Sequence, residues 1–368
     1  MLFCGALVLL AGCTTPPNGP PPNWPATNEV LSARQNLPPF KRIPSAVKTN
    51  PPPVVQPSPP PVTNNIKPAM KPAVAPVYTW SSLSRWAAGQ KIGPPQLLAK
   101  SPLTTYALSS SQGVMVLAIG SREATWNNVT LHLGFAPEII DGGIFVHGLD
   151  LQKNLEPLLC EPPPDFGTNR VIVIDPGHGG ANAGTLSVLD KRPEKQFTLD
   201  WARRLKPLLE TNGWQVFLTR TNDLDVSLSN RVTFAESHHA DYFISLHFNS
   251  AAPDKKQSGL ETYCLTPTGM PSTLTRGFAD PLSENLPNNN FDAQNLQFAV
   301  CLHKTILHAS GEEDRGVRRA RFIGVLRGQH RPAILIEGGY LSNPGEAEKI
   351  ENPEFRQKLA EAVADALR

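Results

Sequence analysis
The chain has 368 residues, among them 38 Pro, and half of those fall between Pro16 and Pro76, a stretch that no packed core absorbs. Lys plus Arg number 34 against 32 Asp plus Glu, a net charge of +2 that excludes a protein built to cover nucleic acid electrostatically. Residues 16 to 77 hold Arg34, Lys41, Arg42, Lys48, Lys67 and Lys71 against the single acid Glu29, so that segment carries +5 and the rest −3.

Residues 2 to 12 (LFCGALVLLAG) form an apolar run that is too short to span a bilayer, which takes about 20 residues. It reads as the core of a signal peptide. The run ends Leu10-Ala11-Gly12-Cys13, which resembles the bacterial lipobox and implies a lipoprotein acylated at Cys13; Thr14 after it resembles the default for outer-membrane sorting. The leader Met1-Leu2-Phe3 lacks the usual Lys or Arg.

Residues 14 to 77 follow as a Pro-rich, disordered tether, because Pro removes backbone donors and biases each preceding residue to extended geometry. From 78 to 160 short alternating runs such as Val114-Met115-Val116-Leu117-Ala118 and Val129-Thr130-Leu131-His132 predict a small β-rich accessory module. It loosely resembles the β modules that precede some wall enzymes. His132 and His147 read as packed or half-exposed side chains of two alternating strands. Cys160, Cys264 and Cys301 match neither a disulfide framework nor a CxxC metal pattern, and read as small buried hydrophobes.

From 170 to 368 the pattern turns to α/β. Val171 to Ile174 is a buried-type strand that stops at Asp175-Pro176-Gly177-His178-Gly179-Gly180. Glu194 opens a helix with Phe197, Trp201, Leu205, Leu208 and Leu209 on one face, in which Pro207 predicts a kink. Further strands are expected at Trp214 to Leu218, Tyr242 to Leu246, Gly259 to Leu265 and Ala333 to Ile336, and helices at Leu228 to His239 and Gln294 to Ala309. A last helix is expected with Asn352 as N-cap and Pro353 at its first position. The alternation implies an α/β fold with a mainly parallel twisted sheet covered by helices on both faces. In such sheets ligands bind beyond the carboxyl ends of strands. His178, His247 and Glu337 each follow a strand and so share one edge.

The stretches VIVIDPGHGG, Glu194-Lys195, LTRTNDLDVSLSNRVTFAESHHADYFISLHFNS, DRGVRRARFIGVLR and PAILIEGGYLSNPGEAEKI, in that order, resemble the zinc-dependent N-acetylmuramoyl-L-alanine amidases of the amidase type 3 family. The resemblance implies that His178, Glu194 and His247 bind one Zn²⁺ and that Glu337 is the catalytic carboxylate. Two His and one Glu with an open position suit hydrolytic rather than structural zinc. Glu337 is then expected to take a proton from water and deliver it to the departing amine of L-alanine. Asp175 is expected to orient a ligand or hold the loop, and Asn249 either lines the site or is structural. Where the family often has a further Asp-Pro-Gly, this chain reads Ala181-Asn182-Ala183-Gly184, which leaves the shape of the loop before Glu194 open. Some members insert an inhibitory helix; Pro267 to Asn290, rich in Pro, Asn and Gly, predicts a loop instead.

The expected function is hydrolysis of the amide between N-acetylmuramic acid and L-alanine in peptidoglycan, by a lipid-anchored enzyme of the cell envelope facing the periplasm. No nucleic-acid partner is expected, and any activator protein stays unidentified. Two alternatives remain at this point, a zinc hydrolase acting on another wall or peptide amide and a catalytically dead wall-binding protein.

Overall fold
The computed structural model describes residues 79–166, 170–274 and 280–368, which belong to one compact unit. The expected signal peptide, the acylated Cys13 and the tether lie outside the described residues. Among the described residues no helix is long and apolar enough to cross a membrane.

The strands are β1 (Trp80–Ser82), β2 (Gln96–Ala99), β3 (Thr105–Ser109), β4 (Val114–Ala118), β5 (Glu123–Trp126), β6 (Val129–His132), β7 (Glu138–Ile140) and β8 (Gly143–His147), then β9 (Val171–Pro176), β10 (Gln215–Leu218), β11 (Tyr242–Asn249), β12 (Leu260–Cys264), β13 (Asp314–Arg319) and β14 (Ala333–Tyr340). The helices are α1 (Leu83–Gly89), the short α2 (Gly148–Asp150) and α3 (Glu156–Leu159), then α4 (Glu194–Thr211), α5 (Leu228–Ser237), α6 (Asp292–Ser310), α7 (Gly324–Arg327), α8 (Pro344–Glu351) and α9 (Pro353–Ala366).

One small antiparallel sheet, β1-β8-β7, stands beside a sheet of eleven strands in the order β10-β9-β11-β14-β12-β13-β6-β5-β4-β3-β2. The large sheet as a whole is mixed, while within residues 170–368, where a mainly parallel sheet is expected, β12 against β14 is the one antiparallel strand pairing among the described residues. β10, β9, β11 and β14 pair in parallel, as the strand-helix alternation required. β12 then enters antiparallel to β14, because no helix intervenes between β11 and β12 to carry the chain back across the sheet. Beyond it β13 and β6 are again parallel, and β6 to β2 form an antiparallel meander. The meander follows from its connections, which are too short for parallel crossovers. Between β5 and β6 the turn is Asn127-Asn128, both at positive φ (46° and 68°), the geometry of a tight hairpin.

While β1, β7 and β8 form the small sheet, strands β2 to β6 of the 78 to 160 segment therefore continue the sheet that carries the α/β strands. Their alternation fixes which side is buried: Met115, Leu117, Ala124, Trp126, Val129 and Leu131 enter the same apolar cluster as Ile172, Ile174, Ile244, Ile334 and Ile336. Helices α4, α6 and α9 close that face through Phe197, Trp201, Leu205, Phe298, Leu302, Leu359 and Val363. A smaller cluster on the other face packs Val173, Phe243, Ala333 and Leu335 under Ala235 of α5 and Val325 and Leu326 of α7.

Helix α4 continues through Pro207 to Thr211. Asn352 caps α9 by accepting from the Glu354 amide at 2.9 Å, with Pro353 following. The described part of Pro267 to Asn290 holds no α-helix, only the start of a 3-10 turn at Pro287–Phe291. Among the elements of residues 170–368, β13, α7 and α8 escaped the periodicity reading. β13 is masked by its run of charged residues, Asp314, Arg315, Arg318 and Arg319, and α8 follows the strand end at Asn343-Pro344.

Candidate metal centre and acid-base site
The site forms where the apolar run of β9 gives out. The chain turns at Gly177-His178-Gly179-Gly180, with His178 itself at φ 64°, a left-handed conformation uncommon outside glycine. A Cβ on Gly177 would lie 2.3 Å from the His247 ring, so the bare backbone there lets the second histidine close up against the turn. Glu194 is the first residue of α4 and is 3% exposed. The loop before it is closed by a bridge between Leu186 and Pro193 and by the Glu194 amide donating to the Thr185 carbonyl at 2.8 Å. Gly184, at φ 71°, leaves room for the Glu194 carboxylate, since a Cβ would sit 2.6 Å from Oε2.

His178, Glu194 and His247 are brought together: one nitrogen of each ring and a carboxylate oxygen all lie within 4.8 Å of one another. They are the one such group of metal-capable side chains among the described residues. Glu194 Oε2 lies 3.0 Å from His178 Nε2, and Oε1 lies 3.0 Å from His247 Nδ1. Oε1 also accepts from the Phe248 amide at 3.0 Å and Oε2 from the Thr185 amide at 3.0 Å. Burial alone would raise the Glu194 carboxyl, but the hydrogen bonds from both histidines outweigh it and hold it below the usual range. The donor set, two imidazole nitrogens and one carboxylate preorganised around a point, fits a divalent cation.

His178 Nδ1 lies 2.9 Å from Asn182 Oδ1, a contact that orients the ring with Nε2 turned toward Glu194 and the cluster. Asn182 belongs to the stretch whose sequence departs from the family pattern, and sequence reasoning gave it no role. Asp175 is 1% exposed and touches neither histidine. It accepts from Thr219 Oγ1 (2.5 Å), Ser245 Oγ (2.7 Å) and Arg231 Nη1 (2.5 Å), and Arg231 Nη2 donates to the His178 carbonyl at 2.8 Å. The aspartate thus acts on the ligand turn through Arg231. Arg220 supports the same turn by donating to the carbonyls of Pro176 and Gly177 at 2.9 and 2.8 Å. Both arginines sit in plain view after β10, but nothing in their spacing marks them as site residues.

Glu337 lies in register with His247 across the parallel pair β11/β14 and with Glu261 across the antiparallel pair β14/β12. Its Oε2 is buried and has no hydrogen-bond partner among the described residues. Burial, with the nearby charges of Glu194 and Glu261, pushes its carboxyl well above the usual range. Glu261, 3% exposed, is the reverse case. Arg318 and Arg315, with the Tyr263 hydroxyl, offset its burial and hold it low. Asn249 donates to Glu261 Oε2 at 2.9 Å, which ties the end of β11 to β12 just past a register shift after His247. Asn249 is therefore placed one hydrogen bond from the acid beside Glu337, and Glu261 is a neighbour of the site that the sequence did not single out.

The other histidines stand apart. His132 and His147 are half-buried on separate sheets, and His303 is fully buried between Thr262 Oγ1 (2.9 Å) and Asp314 Oδ1 (3.0 Å). His238 packs on the rings of Phe217 and Phe234. Cys264 is buried, Cys160 and Cys301 are partly so, and all three are free thiols.

Residues 172–368 match the family described as N-acetylmuramoyl-L-alanine amidase. Over 238 residues the chain is 32% identical to the N-acetylmuramoyl-L-alanine amidase AmiC of Escherichia coli O6:H1, the match covering 58% of this chain and 56% of that protein. Over 198 residues it is 34% identical to the N-acetylmuramoyl-L-alanine amidase CwlM of Bacillus licheniformis, covering 53% of this chain and 66% of that one. The chain thus spans under two thirds of the length of these curated relatives. A solved structure, the catalytic domain of CwlV, an N-acetylmuramoyl-L-alanine amidase from Bacillus (Paenibacillus) polymyxa var. colistinus, is 32% identical, with 54% of this chain and 95% of that chain covered and a TM-score of 0.44.

Proposed function
Because the chain belongs to the N-acetylmuramoyl-L-alanine amidase family, we propose that it hydrolyses the amide between N-acetylmuramic acid and L-alanine in peptidoglycan, with Zn²⁺ held by His178, Glu194 and His247. The observation that carries this reading is the pairing of a three-donor cluster with a buried, unpartnered carboxylate oxygen on the neighbouring strand.

Zn²⁺ held there supplies Lewis acidity, polarising the scissile carbonyl and making water more acidic. The chain's own residues do the rest. Glu194 and the two imidazoles set the donor geometry, and Asn182 and Arg231 hold His178 in place. Glu337 Oε2 has no partner to give up among the described residues, so it is placed to accept a proton from the attacking water. The same oxygen then returns the proton to the nitrogen of the departing alanine, which as an unprotonated amide would leave poorly. A carboxyl whose surroundings raise its proton affinity suits both halves of that transfer.

In the same reading residues 1–13 are the leader ending at the acylated Cys13, 14–77 the tether, 78–160 an accessory segment and 170–368 the catalytic domain. The protein would act from the cell envelope on the periplasmic side, anchored by lipid to the outer membrane. The test is mass spectrometry of purified peptidoglycan after digestion by the zinc-loaded protein. Released stem peptides with a free N-terminal L-alanine are expected; cleavage elsewhere in the stem would refute the assignment.

A further inference from the structure
The sheet face that carries Glu337 extends past the catalytic strands. Residues paired across neighbouring strands project to the same side, so the row can be followed outward. His247 pairs with Glu337 and Glu337 with Glu261. Tyr263, two residues on from Glu261 and hence on the same face, pairs with Arg318. Val317 pairs with Leu131, which sets Arg318 beside His132, on the first strand of the meander. The opposite face of these strands is closed by Val129, Leu131 and Val317 in the main apolar cluster, whereas Arg318 and His132 are only half-buried.

The charges on this face leave Arg318 with capacity to spare. Glu261 accepts from Arg315 Nε (2.9 Å), Asn249 Nδ2 (2.9 Å) and the Tyr263 hydroxyl (2.7 Å), and its single negative charge faces two cations, Arg315 and Arg318, which leaves one positive charge in excess. Arg318 uses only its Nε, 3.2 Å from Glu261 Oε1 and donating to the Arg315 carbonyl at 3.1 Å. Among the described residues its two terminal nitrogens make no hydrogen bond, and its side chain is 16% exposed. His132 brings no competing charge, because burial and the Arg318 cation push it down to about 4. Glu123, the next acid along the row, pairs with His132 and is exposed to solvent.

We propose that Arg318 binds a free carboxylate of the substrate's peptide, two or three residues from the amide that is cleaved. The guanidinium fork matches a carboxylate in a bidentate way that an ammonium cannot. The reach fits as well: β13 lies two strand spacings, about 10 Å, from β14, and Arg318 is offset by two residues, about 7 Å, along the strands. The diagonal of about 12 Å is shortened by the Arg318 side chain, which reaches back to Glu261, to what roughly three residues of extended peptide span. The inference deepens the amidase reading and rests on it. It also gives the peptide a direction, from Glu337 across β12 and β13 toward the meander strands.

The test uses the zinc-loaded protein and two synthetic substrates, N-acetylmuramoyl-L-alanyl peptides that differ only in a free carboxylate or its carboxamide on the residue after alanine. For Arg318→Met the preference for the acid over the amide, measured as the ratio of kcat/KM values, should fall about tenfold or more, mainly through KM. Arg318→Lys, which keeps the charge and loses the fork, should fall between, and it carries the comparison if Arg318→Met does not fold. Equal losses on both substrates, or no loss, would overturn the inference. Wild-type protein that cleaves neither substrate at the muramoyl-alanine bond would instead refute the amidase reading and take the inference with it.

Discussion

At the scale of single residues the site is built as much from what is missing as from what is present. Gly177 and Gly184 stand where a Cβ would strike the His247 ring and the Glu194 carboxylate. Gly177→Ala and Gly184→Ala are therefore expected to weaken zinc binding by about tenfold or more, as losses around metal ligands commonly do. Competition with a chromogenic chelator measures this, and unchanged affinity would show that the turn relaxes at no cost. Glu337→Ala is expected to keep zinc and lose about 10²-fold to 10⁴-fold in kcat, the usual worth of a positioned acid-base group. Turnover near wild type, with metal content measured alongside, would remove Glu337 from the role. The four candidates named from sequence were legible because each ends an apolar run or opens a helix within a recognisable motif, although His247 and Glu337 prove to lie inside β11 and β14 rather than after them. Asn182, Arg231 and Glu261 were not, because their roles depend on partners 4, 53 and 76 positions away (His178 to Asn182, His178 to Arg231, Glu261 to Glu337), and only the first of these separations is local.

At the scale of elements, the end of β14 is held by a buried acid on α8. Glu346 accepts from the amides of Gly259 (2.7 Å) and Tyr340 (2.6 Å). Burial, followed by its hydrogen bond with Glu312, pushes its carboxyl up to about 8, while Lys349 pairs with Glu312 from outside at 2.7 Å. The folded state thus binds this proton more tightly than the unfolded chain. The associated stability is full below about pH 4.5, the ordinary carboxyl value, and is lost as pH rises through about 8. The loss should be roughly 2–4 kcal/mol, and Glu346→Gln should flatten it. Urea unfolding at pH 5 and pH 8 checks this; an identical slope in the variant would exclude Glu346 as the source. At α9, Asn352→Ala removes a cap and is expected to cost about 1 kcal/mol by the same measurement. That cap was legible from Asn-Pro alone because capping is local, whereas β13 was hidden because its adjacent Arg318 and Arg319 find polar partners on both faces, Glu261 for one and Asn154 for the other.

At the scale of the whole molecule, β2 to β6 and the strands of residues 170–368 share one sheet, and both stretches of chain contribute to one apolar cluster. Residues 79–368 are accordingly expected to unfold in a single cooperative transition. Leu131→Ala, which opens a cavity under β6 near the junction, should lower the stability of the whole by about 2–5 kcal/mol. Two separate calorimetric transitions, or a loss confined to one of them, would show that the segments fold independently despite the shared sheet. Removal of metal by chelation should abolish activity and added Zn²⁺ restore it; full activity in metal-free protein would defeat the zinc assignment.

The amino-acid sequence by itself determined the long helices α4, α5, α6 and α9, most of the strands and the acid-base and ligand candidates, because periodicity, capping and turn chemistry are set by near neighbours along the chain. The parallel order is interrupted at β12, where the direction of a strand depends on what connects it and not on its own composition. Only the tertiary structure decided that the accessory strands join the catalytic sheet, that Asp175 works through Arg231, and that Glu261 and Arg318 stand in the row that begins at His247. Those are contacts between distant parts of the chain, and pairing across strands carries no trace in the local pattern of either partner.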